Sequence, residues 1–193
     1  ASNGNYNTVV GDEAGTAITT GDGNVAVGYA SLHVEDTGLY STAIGYKALF
    51  SQNNDSSNYN VAVGAFAGED ITSSTLNTVV GGLAGRNLTT GGDNVVLGYG
   101  ALAAEDTGGR NVAIGNVALN ALNNDASSYN TAVGWAAGQS VTTGTQNTLI
   151  GGLAGDAMTD ADGNVAVGYA ALTTNVLGSD SVAIGKNALN AQN

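Results

Sequence analysis

The sequence predicts an all-β chain: a parallel β-solenoid, or β-roll, built from eleven coils of either seventeen or nineteen residues. Three observations predict it. A five-residue phrase recurs at a nearly constant step, its apolar positions alternate as in a strand, and the step is far too short for a helix pair.

The phrase is Asn-(Val/Thr)-(Ala/Val/Leu)-(Val/Ile/Leu)-Gly, first met as NTVVG and last as SVAIG, with its glycine at positions 11, 28, 45, 64, 81, 98, 115, 134, 151, 168 and 185. The steps between successive glycines run 17, 17, 19, 17, 17, 17, 19, 17, 17 and 17, so four units form a 70-residue superrepeat within a single repeat domain, 1–193. Glu35-Asp36 and Glu105-Asp106 lie 70 apart, as do Asp55 and Asp125, and Tyr59 and Tyr129. A coil this small suits a solenoid, where each unit touches only its neighbours.

Each element of the unit has a physical reason. The residue before the glycine is always Val, Ile or Leu, the one two places earlier is Val or Thr, and the one between is Ala in seven units and Val or Leu in four. Nothing polar interrupts this short strand beyond threonine, so both of its faces are expected to be buried. The asparagines at its start, Asn7, Asn24, Asn60, Asn77, Asn94, Asn111, Asn130, Asn147 and Asn164, are expected to stack coil on coil as an amide ladder, with Ser41 and Ser181 in the two remaining units. The glycine marks a backbone turn with positive φ or a close approach to another segment. Three places later stands Ala (Ser31 in one unit), followed by Gly or Leu, and the Ala-Gly units add Thr19, Thr72, Thr89, Thr142 or Thr159. A second short strand or bend is expected there, and stretches such as TTGDGN and TDADGN close the coil. No coil could stand alone. Its two or three aliphatic side chains offer roughly 1.5–3 kcal/mol each, against roughly 1–2 kcal/mol of backbone entropy for every ordered residue.

Composition narrows function. Sixteen acidic residues against four basic ones give a net charge of −12, which repels nucleic acid and anionic membranes. There is no cysteine for a disulfide, a thiolate nucleophile or a thiolate metal site. No apolar run spans a bilayer and no basic start leads an apolar stretch, so an exported form would be the mature one. His33 is the single histidine, with Ala103 and Thr173 as its counterparts, so a triad or a histidine metal site is hard to build from it and it reads as a surface residue. The Glu35-Asp36 and Glu105-Asp106 pairs read as a solvated acidic stripe rather than as acid and base partners. No cofactor is expected; turns bearing Asp22, Asp93 and Asp162 are the candidate site for a structural calcium ion, but the GGxGxD nonapeptide is absent. Tyr29, Tyr99, Tyr169 and Trp135, one place after the glycine, are candidates for stacking on a cell-surface glycan or packing against a neighbouring chain. The threonines are too interrupted for an ice-binding array.

The phrases NVAVGYASL, STAIGYKAL and NVAVGYAAL resemble the NTAIGYQAL-type repeats of bacteriophage tail-fibre proteins and, more distantly, the SVAIG repeats of trimeric autotransporter adhesin heads. The resemblance covers nearly the whole chain. It implies a parallel β-roll, wound as a homotrimer, on an extracellular fibre or virion appendage that meets a cell surface. The units here are longer than the adhesin-head repeat, and no coiled-coil stalk accompanies them.

The two ends of the chain point to assembly. Eight residues follow Gly185 and eleven run up to and including Gly11; joined, they make a nineteen-residue step, the length that this phase of the superrepeat requires. The letters agree: KNALNAQN followed by ASNGNYNTVVG matches residues 46–64 and 116–134, with Asn193 on Asn53 and Asn123, and Tyr6 on Tyr59 and Tyr129. The expected joint comprises Ala1, Ser2, Tyr6, Asn7, Ala188, Leu189, Gln192 and Asn193. Copies meeting there head to tail would share one coil and form a filament, a contact that does not close. The alternative is a shaft fragment of a phage tail fibre or of an adhesin that binds a surface glycan.

Overall fold

The computed structural model describes residues 4–174 and 178–190. Eleven strands of three residues each form one sheet: β1 (Thr8–Val10), β2 (Val25–Val27), β3 (Thr42–Ile44), β4 (Val61–Val63), β5 (Thr78–Val80), β6 (Val95–Leu97), β7 (Val112–Ile114), β8 (Thr131–Val133), β9 (Thr148–Ile150), β10 (Val165–Val167) and β11 (Val182–Ile184). All neighbours are parallel and the spatial order is the sequence order, so the chain winds as a β-solenoid. Register is unaffected by the longer steps: Thr42 pairs with Val61 across a nineteen-residue step just as Val61 pairs with Thr78 across a seventeen-residue one. The two extra residues are absorbed in the turn around Asn53–Asn58. No second strand forms in the coil; beyond the sheet, the described residues add one isolated bridge, Leu39 to Ser57.

Strand burial departs from the expectation. The middle residue faces the interior and is fully buried in the inner strands, as at Ala26, Val96 and Leu149. The residues on either side face outward and are half-buried or exposed, with Leu97 47% and Ile184 70% accessible. The inward column is mostly alanine, but it also takes Val79, Val96 and Leu149, all fully buried. Only one face of the sheet is covered by the chain itself.

The glycine column has both of the predicted reasons at once. Gly115 has φ 139°, and a Cβ there would sit 2.2 Å from the carbonyl oxygen of Gly134 in the next coil. After it the chain passes twice through the left-handed region, two and four places on, as at Val117 (φ 52°) and Leu119 (φ 47°). This explains the Gly-or-Leu alternation. A leucine here is strained but fills the interior, and Leu32, Leu49, Leu102 and Leu119 are all fully buried. Where glycine relieves the strain, the core is filled from three residues later: a Cβ on Gly68 would meet Ile71 Cδ1 at 2.8 Å, and one on Gly85 would meet Leu88 Cδ1 at 2.9 Å. Position seven after the strand glycine is thus an interior column, occupied by Ile71, Leu88, Val141 and Met158 in the buried Ala-Gly coils. The threonine that follows caps the neighbouring coil; Thr89 Oγ1 donates to the Asp106 carbonyl at 3.0 Å.

Candidate self-assembly interface

The asparagine column is buried along the inner coils, but its bonds differ from an amide-to-amide ladder. Each Oδ1 accepts the backbone N–H of the next coil's residue in the column: Asn24 to Asn7 at 2.8 Å, Asn77 to Asn60 at 2.9 Å, Asn111 to Asn94 at 2.9 Å, Asn130 to Asn111 at 3.1 Å and Asn164 to Asn147 at 2.9 Å. Most Nδ2 groups donate instead to a closing-turn carbonyl further along the chain, such as Asn60 to Ser74 and Asn147 to Ala161. Side-chain amides touch directly at Asn94 to Asn77 and at Asn164 to Asn147, both 3.1 Å. The asparagine therefore fastens three pieces of backbone: its own coil, the strand start of the next, and that coil's closing turn. A strand start has an N–H that no ladder carbonyl reaches, so a side-chain acceptor is needed there.

Among the described residues, β1 and β11 each have a strand on one side only. Val9, the inward-facing middle residue of β1, is 44% exposed where its equivalents are buried, and Val182 on β11 is 64% exposed. A Cβ on Gly185 would meet nothing within 4 Å. Of the expected joint residues, Tyr6 lies exposed beside β1, and Asn7 donates from Nδ2 to the Gly21 carbonyl at 2.7 Å. Ala188 and Leu189 pack against the core at the other end, and the Ala188 carbonyl accepts Leu172 N–H at 2.9 Å. Tyr6 and Asn7 are therefore at the opposite end of the sheet from Ala188 and Leu189. Ala1, Ser2, Gln192 and Asn193 lie outside the described residues.

The acidic pairs are not a solvated stripe. Glu35 and Glu105 are fully buried, in the interior column at position seven. Glu35 Oε1 accepts Gly38 N–H at 2.7 Å, and its Oε2 accepts the Gln52 and Asn58 amides at 2.9 and 3.0 Å. Glu105 has Leu122 and Ser128 where Glu35 has those amides, and it relies on the backbone N–H groups of Gly108 (2.8 Å), Asp106 and Asn124. With Leu88 and Leu122 before and after it in the column, burial pushes its carboxyl up to about 7. The cue was present in the sequence: the residue seven after each strand glycine is apolar in most other coils.

Asp22, Asp93 and Asp162 each act within their own pair of coils: Asp22 accepts Asn5 N–H, Asp93 meets Arg110 at 3.6 Å, and Asp162 accepts Thr145 N–H at 2.6 Å. They stand four coils apart, about 19 Å, too far to share one ion, and among the described residues no three His, Cys, Asp or Glu side chains converge as metal ligands. His33 lies flat on Phe50 with ring centroids 5.1 Å apart and is held by Thr16 at 2.8 Å. Tyr29 stacks on Tyr46 with ring centroids 5.2 Å apart, which occupies one face of each ring.

Neither the protein-family models, nor the curated proteins, nor the solved structures include a match to this chain.

Proposed function

We propose that the chain is a structural element of an extracellular fibre and that it elongates by stacking end to end on copies of itself, its role being mechanical rather than catalytic. One observation carries this reading: a single parallel register joins each coil to the next from β1 to β11, so the same backbone bonds can join one copy to another. The register that joins Gly28 N–H to the Val10 carbonyl at 2.8 Å would join Gly11 N–H of one copy to the Ile184 carbonyl of another. The shared coil at such a joint would combine the segment after Gly185 with the segment before Gly11. An open parallel edge with exposed aliphatic side chains is costly to leave in water. At about 4.8 Å per strand, one copy adds roughly 50 Å of length.

Electron microscopy of the purified chain tests it. Long fibres with an axial repeat of about 50 Å are expected, and a chain lacking residues 186–193 should remain folded but stop elongating. Unchanged elongation of that variant would refute the joint. Discrete short rods from the intact chain would favour a shaft segment built into a longer fibre, and a glycan array would then test an adhesive role.

A further inference from the structure

The outward face of the sheet carries a second pattern, independent of end-to-end stacking. Three neighbouring columns run along this face: the residues three and one before the strand glycine, and the residue one after it; the exposed Asp93 and Arg110 stand in the next column, five before the glycine. From β2 to β10 these columns hold Thr, Val, Ile, Leu, Tyr, Trp, Ala, Gly and a single Asn, and none of the chain's sixteen acidic or four basic residues. Leu97, Tyr99 and Trp135 on it are 47%, 58% and 58% exposed. A chain of net charge −12 that keeps these three columns uncharged and mostly apolar has a strip on which copies can meet without repulsion.

We infer that this face is buried against a second copy of the same chain lying antiparallel, with β6 on β6 about a two-fold axis. The residues after the glycine argue for this orientation. Reversal about β6 brings coil one opposite coil eleven, and the only charges in that column, Asp12 and Lys186, then meet as opposite signs at both ends. Between them the column is complementary in size: Tyr46 meets Gly152, Trp135 meets Ala65, and Asn116 meets Gly82. Tyr29 and Tyr169 meet as an aromatic pair, and Tyr99 lies on the axis beside its own equivalent. The inner columns are equally matched, for example Val63 with Val133 and Ile44 with Ile150. Ten strand spacings by about 15 Å give roughly 700 Å² per copy, or about 1,400 Å² in all, the size of a specific interface. A self-complementary two-fold patch of this kind closes as a dimer, in contrast to the trimer that the repeat resemblance implies.

The test uses the absence of native cysteine. Full-length chains carrying Val63→Cys or Val133→Cys are mixed and treated with a short bismaleimide. The antiparallel pair predicts that the mixed crosslink dominates, because a parallel pair would hold these positions four coils, about 19 Å, apart. The mass per length of the fibres, or the sedimented mass where no fibre forms, should correspond to two chains side by side, and Leu97→Glu, which sets two carboxyls face to face at the axis, should weaken the lateral contact at least about tenfold while leaving the circular-dichroism spectrum unchanged. Dominant Val63-to-Val63 crosslinks, or one or three chains side by side, would overturn the proposal. Fibre length reads the axial joint separately, so either contact can fail alone.

Discussion

Replacing Glu105 by Gln should stabilise the protein at neutral and alkaline pH and flatten its pH dependence. The folded carboxyl titrates near 7 rather than at the usual 4.5, so folding favours its protonated form. The stability it contributes is fully present below about 4.5 and is lost as pH rises through about 7. At about 1.4 kcal/mol per tenfold, that displacement is worth at most roughly 3 kcal/mol. Three backbone N–H groups already point at the carboxyl, and the turn that holds it borders solvent, so about 2 kcal/mol is a reasonable expectation. The charged groups nearby are Asp106 on its own turn and Asp125 on the following coil; the preceding segment, Leu88–Gly91, brings none. For a chain of this length, about 2 kcal/mol is roughly 4–8 °C in Tm. Melts followed by circular dichroism from pH 5 to pH 8.5 should show the intact chain losing this increment while Glu105→Gln does not. Glu35→Gln is the internal control and should act in the opposite direction, because it sets an amide N–H₂ against the Gln52 or Asn58 donors, a mismatch worth about 1–3 kcal/mol. Parallel pH profiles for the intact chain and Glu105→Gln would refute the reasoning, as would stabilisation by Glu35→Gln.

Gly115→Ala forces a methyl to within 2.2 Å of the Gly134 carbonyl at φ 139° and should cost about 3 kcal/mol or more in urea titrations. Asn77→Ala strands the buried Asn94 N–H and the Gly91 carbonyl, now held at 3.0 Å each, for an expected loss of about 2–4 kcal/mol on the same assay. Arg110→Ala removes an exposed pair with Asp93 at 3.6 Å together with hydrogen bonds to Ser127 and Tyr129 and should lower the stability read from urea titration by about 1 kcal/mol, with the ionic share of the difference screened in high salt.

The repeat made the fold legible because a constant step can be satisfied in only one way. The positions of the strands, the glycine column and the asparagine column follow from counting, and the 70-residue phase located the longer turns. Sidedness was not legible in the same way. Three-residue strands with nothing more polar than threonine carry little amphipathic signal, and the way the coil closes decides that Ala26 turns inward and Val27 outward. The burial of Glu35 and Glu105 is hidden for a related reason. Beside an aspartate and in a polar turn they resemble a surface pair, whereas their burial follows from sharing a column with Ile71, Leu88, Val141 and Met158. The asparagine bonds are not legible in the column alone, because stacking suggests like touching like while the unmet need at that place belongs to the backbone. The candidate lateral face became visible only once the outward side chains had been separated from the inward ones.

The indifference of the sheet to whether a step is the shorter or the longer one has a genetic corollary. A duplication or loss of one whole 70-residue block would leave every surviving coil with a neighbour it already accepts. Such a rod could lengthen or shorten by unequal crossing-over, in increments of about 19 Å, without any new contact having to be invented.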